Sequence, residues 1–589
     1  MPELPIIDFF ELKKNLKKDF SQCKKIQAAI LGDNTTQFLA MALKGYGYHE
    51  SLNLELFEAD YNQIERLVLD TSSELYHQKN DFVILFHSTQ KLLNQFYTLS
   101  GPRKTTFAVD HLEKVEHMYG TLAAHGACKV IYLNFSEIDD GIFGNFAAKT
   151  DRSFVYQIKK LNLELMNLSM RQDNFFICDI CALENRYGQI MAHDAKMYIQ
   201  GDMVFSLAFV PYVAKRIVDI IKAVKGIFKK CIILDLDNTI WGGVIGDDGL
   251  ENIQVGELGI GRAFTEFQQW IKQLQQRGII LAVCSKNEEI IAKEPFEKHP
   301  EMILRLDDIA VFVANWENKV DNIHYIQSIL NIGFDSMVFL DDNPVEREMV
   351  RKNIHGITVP ELPEDPVEYL SCLRELNLFE TASYTDTDTT RTRQYQNESR
   401  RKQFQKSFTS ENDFLKSLSM ISEVKPVDTF SVPRVAQLTQ RSNQFNLRTV
   451  RYTEADINKI ISSDNYFTLS FTLEDKFGDN GLVSIIILRK QEKYLFIDTW
   501  IMSCRVLKRG MEMFVLNEIV RLARQNGFRR IVGEYIPTPK NAMVKNLFSE
   551  LGFIQEGELW NLTVTAFRPM PYFIRIKESD NGQFASGSY

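Results

Sequence analysis

The run Cys231-Ile232-Ile233-Leu234-Asp235-Leu236-Asp237-Asn238-Thr239 constrains this chain more than any other stretch. Consecutive apolar residues without polar alternation read as a strand buried on both faces, the situation of a parallel sheet covered by helices. Such a strand delivers the residues at its C-terminal end to the carboxyl edge of the sheet, where open α/β folds bind ligands. Here those are Asp235 and Asp237, which alternation puts on one side. Two carboxylates there resist ionising together unless a proton or cation lies between them. A hard divalent ion such as magnesium, which takes oxygen ligands, meets that need.

The rest of the chain supplies the sheet. Strand-like runs alternate with amphipathic helical stretches from Ile26 to about Val359, predicting α/β architecture with parallel sheets. A first unit includes Ile26–Leu31, Phe82–Phe86, Val130–Leu133 and Phe175–Ile180 and ends in a helix around Ala214 to Val224. A second opens at Cys231, continues with Ile279–Cys284 and closes with Met337–Asp341. After Pro360 the alternation stops. Thr381 to Gln396, rich in Thr, Asp and Arg, reads as a linker running into a helix. From about Leu415 a third, α+β domain is expected, with strands at Leu482–Leu488, Tyr494–Trp500 and Ile531–Tyr535 and a helix from Met511 to Gln525. The boundaries drawn from this are 1–225, 226–365, a helical linker at 366–414, 415–577 and a frayed tail at 578–589.

Composition excludes several partners. Acidic side chains number 77 against 68 basic ones, a net charge of -9 over 589 residues, so nucleic acid is not expected as a ligand. Nowhere do about 18 apolar residues run together, so no membrane span is expected. Eight cysteines are too sparse for a disulfide scaffold, and Cys231 and Cys284 sit inside apolar runs as reduced core thiols do. A soluble, cytoplasmic protein is the expectation.

Three further strand ends bring complementary chemistry. Ser285 comes straight after Ile279–Cys284 with a hydroxyl, Asp341 and Asp342 come after the run ending at Leu340, and Lys319 in Asn315-Trp316-Glu317-Asn318-Lys319 offers an ammonium. Strand-end Asp residues often serve only as caps or turn formers. A nucleophilic carboxylate, a second carboxyl for proton transfer, a metal, a hydroxyl and a cation together suit phosphoryl transfer through an aspartyl phosphate. Between Thr239 and Ser285 there is room only for a Gly-rich flap and one amphipathic helix carrying Phe264, Phe267, Trp270, Ile271 and Leu274. No separate lid domain fits, so the site is expected to be open or covered by a neighbouring domain, and able to take a phosphate carried on something large. In the flap, Gly242, Gly243, Gly246 and Gly249 permit close approach of backbone to a ligand, and Trp241 either walls the pocket or packs in the core.

These four stretches, in this order, resemble the haloacid dehalogenase superfamily of phosphotransferases. That resemblance implies Asp235 as nucleophile, Asp237 as acid and base, and Ser285 and Lys319 on the phosphoryl oxygens. Magnesium would be held by Asp235, the backbone carbonyl of Asp237 and a later acid, with Asp342 the direct ligand and Asp341 beside it. Within the superfamily, the flap Thr239 to Gly249, Val283-Cys284-Ser285-Lys286-Asn287, Asn315 to Lys319, Phe339 to Arg347 and Val359 to Pro363 resemble the FkbH-like family. The resemblance implies a phosphatase coupled to glyceryl transfer. The phosphorylated small-molecule donor would be 1,3-bisphosphoglycerate, and the acceptor the phosphopantetheine thiol of an acyl carrier protein.

Trp500 to Glu512 is similar to the acyl-CoA-binding loop of GNAT acyltransferases, with Lys508 where the first Gly is usual. The similarity implies a phosphate or carrier-borne pantetheine held by Arg505, Arg509 and Gly510, with Asn541 further along the chain. A thioester step needs a thiolate. Cys504, at a basic helix start, is the candidate nucleophile, with a buried, inert role the alternative and Cys284 the rival. Leu31-Gly32-Asp33-Asn34 resembles the first block of SGNH hydrolases, but Asn34 stands where that family has its nucleophilic Ser, so a hydrolase fold without hydrolase chemistry is expected. Cys178 and Cys181 are assigned to packing, and His193-Asp194 to a surface pair. The rival readings are a GNAT-type acyltransferase working on a surface-polysaccharide or natural-product precursor, and a carrier-tethering scaffold with a vestigial phosphatase centre.

Overall fold

A computed structural model describes residues 7–126, 128–385, 391–538 and 540–577, without the side chains of Gln403 and Cys504. The tail expected at 578–589 lies outside the described residues. The fold is mixed α/β with two all-parallel sheets and a third that is mainly antiparallel. Contacts divide the chain into two compact units, Met1–Ala223 and Val224–Tyr589.

In the first unit, strands β1 (Lys24–Gly32), β2 (Leu52–Glu58), β3 (Phe82–Phe86), β4 (Lys129–Leu133) and β5 (Phe175–Cys178) lie in the order β2-β1-β3-β4-β5, all parallel. Ala29, Leu31, Val83, Leu85, Val130 and Tyr132 turn one face of this sheet toward buried residues of the helices Phe107–His125 and Phe154–Arg171.

The second unit opens with β6 (Cys231–Leu234), then β7 (Ile280–Ser285), β8 (Ile309–Ala314) and β9 (Met337–Leu340), in the parallel order β8-β7-β6-β9. The unbroken apolar run of β6 is explained by burial on both sides. Ile232 and Leu234 pack with Phe264, Phe267 and Ile271 of the helix Gly261–Gln276. Cys231 and Ile233 pack with Ile323, Ile326 and Ile329 of the helix Lys319–Leu330. Each Ile or Leu so buried contributes about 1.5–3 kcal/mol, enough to fix the strand's register and with it the place of Asp235. The chain runs outward from β6 to β7 and β8, then returns to lay β9 on the other side of β6. The crevice at the carboxyl ends of β6 and β9 is therefore the topological switch point, where such sheets bind ligands.

The outer edge of β8 is covered by the helix Arg391–Gln405, whose Gln396 side chain donates to the Ile309 carbonyl at 3.0 Å and whose Tyr395 joins the core around Ile233. Beyond it, Tyr466–Asp475, Gly478–Lys490 and Leu495–Met502 form an antiparallel meander. The helix Met511–Gln525 then leads to Arg530–Glu534, which pairs parallel with Leu495–Met502. Among the described residues no helix is long and apolar enough to cross a membrane.

Candidate active site

Three carboxylates meet at the switch point. Asp235 extends the ladder of β6, its N–H donating to the Leu340 carbonyl at 2.9 Å, and is only 7% exposed. Asp341 and Asp342 stand at the end of β9. Oxygens of Asp235, Asp341 and Asp342 all lie within 4.8 Å of one another. Lys319, 3% exposed at the start of its helix, places Nζ 2.8 Å from Asp235 Oδ2 and 2.5 Å from Asp341 Oδ2. Asp341 Oδ1 also accepts the Asn343 N–H at 2.9 Å. The Thr239 hydroxyl accepts the Asp342 N–H at 3.1 Å and lies 3.4 Å from Asp342 Oδ1.

Charge does not balance here. One ammonium faces three acids, and burial together with the nearby Asp235 pushes Asp341 up to about 7. The same two causes raise Asp342 above the usual carboxylate range. Burial alone would lower Lys319, but Asp235 and Asp341 outweigh it and hold the ammonium charged. Asp235 Oδ1 is buried and has no hydrogen-bond partner among the described residues. An orphaned carboxylate oxygen beside two more acids, in a site of all-oxygen donors, suits a hard divalent cation.

Asp237 stands apart from the carboxylate cluster. Its Oδ1 accepts Trp241 Nε1–H at 3.0 Å and the Ile245 N–H at 3.0 Å, and its Oδ2 accepts Asn287 Nδ2–H at 2.8 Å. The expectation that Asp235 and Asp237 would crowd one another is corrected. The strand ends at Leu234, and Asn238, at φ 52°, turns the chain so that Asp237 points into the flap. The Asp237 side chain is not among the clustered carboxylates. Trp241 is fully buried against the edge of Phe296, and its N–H serves Asp237. Ser285 ends β7, buried, with its Oγ 3.3 Å from Asn287 Nδ2. Asn287 therefore touches both the Ser285 hydroxyl and the Asp237 carboxylate. Sequence reasoning gave it no role, although its place two residues after Ser285 was the available signal. Two of the flap glycines answer to internal packing: a Cβ on Gly242 would lie 2.8 Å from Gln254 Oε1, and one on Gly243, which sits at φ 92°, 2.6 Å from Asp248 Oδ2.

Cys284 faces away from this chemistry. It is fully buried in the core of β7, and burial pushes its thiol up to about 12. Native protein treated with iodoacetamide near neutral pH is expected to keep Cys284 unmodified until it is denatured. Peptide mapping that finds it alkylated in the native state would contradict this placement.

The remaining expected site residues fall elsewhere. The Cys504 side chain lies outside the described residues. Arg505 and Arg509 do not line an open anion site, and this expectation is corrected. Both are buried, Arg505 against Ser503 and Gln394, and Arg509 in an ion-pair network with Glu398 and Asp475. Glu398 belongs to the helix Arg391–Gln405, more than a hundred residues away in sequence, so nothing local announces the pairing. Gly510 is at the start of the helix Met511–Gln525 with φ 76°, and Lys508, at φ 61°, holds a conformation that glycine would adopt without strain. Asn541 is a turn organiser: its side chain donates to the Asn446 and Ile536 carbonyls at 2.9 and 3.0 Å and accepts the Thr538 N–H at 2.8 Å.

In the first unit Asn34 is a buried tie, donating to Asp33 Oδ1 at 3.0 Å and to the Phe86 carbonyl at 3.3 Å. His193 is not part of a surface pair with Asp194. Its Nε2 lies 2.8 Å from Glu184 Oε1, and Asp194 instead caps the helix Ala195–Gly201. Ser136 also donates to Glu184 Oε1, at 2.5 Å. The acid thus stands between hydroxyl and imidazole, an order that cannot relay a proton from the serine through the histidine. Cys178 is buried in β5, as packing requires.

The family model described as FkbH, N-terminal domain, matches residues 27–222. The solved N-terminal part of the protein BF1531 from Bacteroides fragilis, containing a phosphatase domain and complexed with Mg, is 55% identical. The match covers 64% of this chain and 100% of that one, with a TM-score of 0.62. The ribosomal-protein-S18-alanine N-acetyltransferase from Escherichia coli is 14% identical, covering 26% of this chain and 100% of its own, at a TM-score of 0.21. Spermidine N-acetyltransferase from Vibrio cholerae in complex with CoA and spermine is 12% identical, covering 24% and 96%, at 0.20. Among curated proteins nothing matches.

Proposed function

Because the chain belongs to the FkbH-like family, we propose that it is a magnesium-dependent phosphatase of the haloacid dehalogenase type whose phosphate removal is coupled to acyl transfer. The observation that carries this reading is the orphaned Asp235 Oδ1, set among Asp341 and Asp342 and flanked by the Lys319 ammonium. In the first step an Asp235 oxygen attacks phosphorus, the bond to the leaving oxygen breaks, and Asp237 gives that oxygen its proton. In the second, Asp237 takes a proton from water as it attacks the aspartyl phosphate, releasing inorganic phosphate and regenerating Asp235. Asn287, Trp241 and the Ile245 amide hold Asp237 for both transfers, and Ser285 and Lys319 grip the phosphoryl oxygens. Magnesium, held by Asp235, Asp342 and the Asp237 carbonyl with Asp341 beside them, would neutralise phosphoryl charge and relieve the crowding of carboxylates.

The finer reading is that the phosphate is the 3-phosphate of a phosphoglyceryl group derived from 1,3-bisphosphoglycerate, and that glyceryl is loaded onto the phosphopantetheine thiol of an acyl carrier protein. Its support is the short chain between Thr239 and Ser285, a flap holding the one-turn helix Ile245–Asp248 and then the helix Gly261–Gln276, which leaves room for a phosphate presented on a protein arm. The burial of Arg505 against Ser503 and Gln394, and of Arg509 in ion pairs, weighs against a CoA diphosphate as ligand of the C-terminal loop. Intact-mass spectrometry of a holo-carrier protein incubated with the enzyme, magnesium and 1,3-bisphosphoglycerate tests this. The carrier should gain an unphosphorylated glyceryl unit with the wild-type enzyme and retain the phosphorylated unit with Asp235→Asn. An unmodified carrier alongside acetyl-CoA turnover would contradict it.

A further inference from the structure

Arg347 lies in the first turns of the helix Pro344–Asn353, directly after the two aspartates of β9, and is 6% exposed. Its Nη1 donates to the main-chain carbonyl of Asp341 at 2.9 Å and to that of Asp342 at 2.7 Å. Its Nε and Nη2 meet Glu361 Oε2 at 3.1 and 3.0 Å. One nitrogen, Nη1, therefore holds both peptides of the loop while the Nε–Nη2 edge is held by Glu361, and the side chains of that loop go separate ways, Asp341 to Lys319 and Asp342 to the Thr239 hydroxyl.

A buried guanidinium needs its donors satisfied, and a single carboxylate would do much of that work alone. Bridging two successive carbonyls does more, because it removes the rotations that would let the Asp341 and Asp342 carboxylates drift relative to Asp235. Ligand oxygens must be held to within about half an ångström for a site to bind its ion well. Resting on the reading of this cluster as a magnesium-dependent phosphatase centre, we propose that Arg347, itself oriented by Glu361, is a positioning residue that sets the Asp341–Asp342 peptides for cation binding without touching substrate. Lysine cannot replace it, since a point-charge ammonium on a flexible stem has no second edge for Glu361 to hold while it donates to the two carbonyls.

The test measures Mn2+ binding by the loss of the free-ion paramagnetic resonance signal, and the magnesium dependence of p-nitrophenyl phosphate hydrolysis, in the full chain. Arg347→Lys is expected to weaken cation affinity about tenfold, within the range for groups that orient metal ligands, and to leave KM for the ester at saturating magnesium within about twofold. Glu361, 66% exposed at its side chain, can be changed with little risk to folding, and Glu361→Gln is expected to weaken cation affinity about threefold. Unchanged Mn2+ affinity in a folded Arg347→Lys protein would overturn the proposal. Should that variant fail to fold, unchanged affinity in Glu361→Gln would do the same. If the wild-type protein binds no Mn2+, or binds it equally after Asp235→Asn, the phosphatase reading beneath the proposal fails first, and the two failures are told apart by that control.

Discussion

Replacing Asp235 with Asn is expected to reduce phosphate release by about a thousandfold or more, because an amide cannot serve as the attacking oxygen. Stability should respond in the opposite sense. Asp235 is one of three buried acids sharing a single ammonium, and its charge is among the causes that raise Asp341 and Asp342. Removing that charge leaves Lys319 with Asp341 as its partner and relieves the repulsion, so the metal-free variant should melt no lower than the metal-free wild type. Paired measurements of phosphate release and melting temperature check both halves. Release near the wild-type rate would dismiss Asp235 as nucleophile.

Lys319→Ala is expected to fail on both counts. Taking away the one ammonium leaves Asp235 and Asp341 uncompensated in a buried site, and breaking a buried pair in this way costs about 3–5 kcal/mol. Loss of a preorganised cation at the phosphoryl oxygens should also cut phosphate release roughly 10²- to 10³-fold. The stability defect should depend on pH. An Asp341 that titrates near 7 when folded, against about 4 when unfolded, holds its proton more tightly in the native state. Its charging therefore destabilises the metal-free fold increasingly from about pH 4 to pH 7 and fully above that. Without Lys319 this penalty grows, so denaturation midpoints of variant and wild type should lie closer together in mild acid than in mild base. A variant as stable as the wild type in mild base, without magnesium, would contradict the ion-pair account.

Much of this was legible in the sequence, for identifiable reasons. The apolar runs of β6, β7 and β9 are buried on both faces and so carry no polar interruptions, and the residues at their C-terminal ends are delivered to the sheet's carboxyl edge. That placed Asp235, Ser285, Asp341 and Asp342 together. β2, whose Leu-Asn-Leu-Glu alternation marks an edge strand, and β8, beginning straight after Asp307-Asp308, were not named as strands. The direction of Asp237 was misread because alternation applies only inside a strand, and β6 ends at Leu234. Pairings beyond adjacent residues were invisible: Arg509 with Glu398 across a hundred residues, and His193 with Glu184 nine residues back instead of its neighbour Asp194. Arg347 reads as an ordinary helical cation until the carbonyls it grips are seen.

The central claim is that Asp235 accepts a transferring phosphorus atom with a cation at its side. Crystals grown with magnesium and soaked in beryllium fluoride, which mimics an acyl phosphate, put it to trial. The account predicts a tetrahedral beryllofluoride bonded to an Asp235 carboxylate oxygen, with the ion seated against Asp342. An unmodified Asp235 in a metal-free pocket, with the fluoride complex bound elsewhere or not at all, would contradict it.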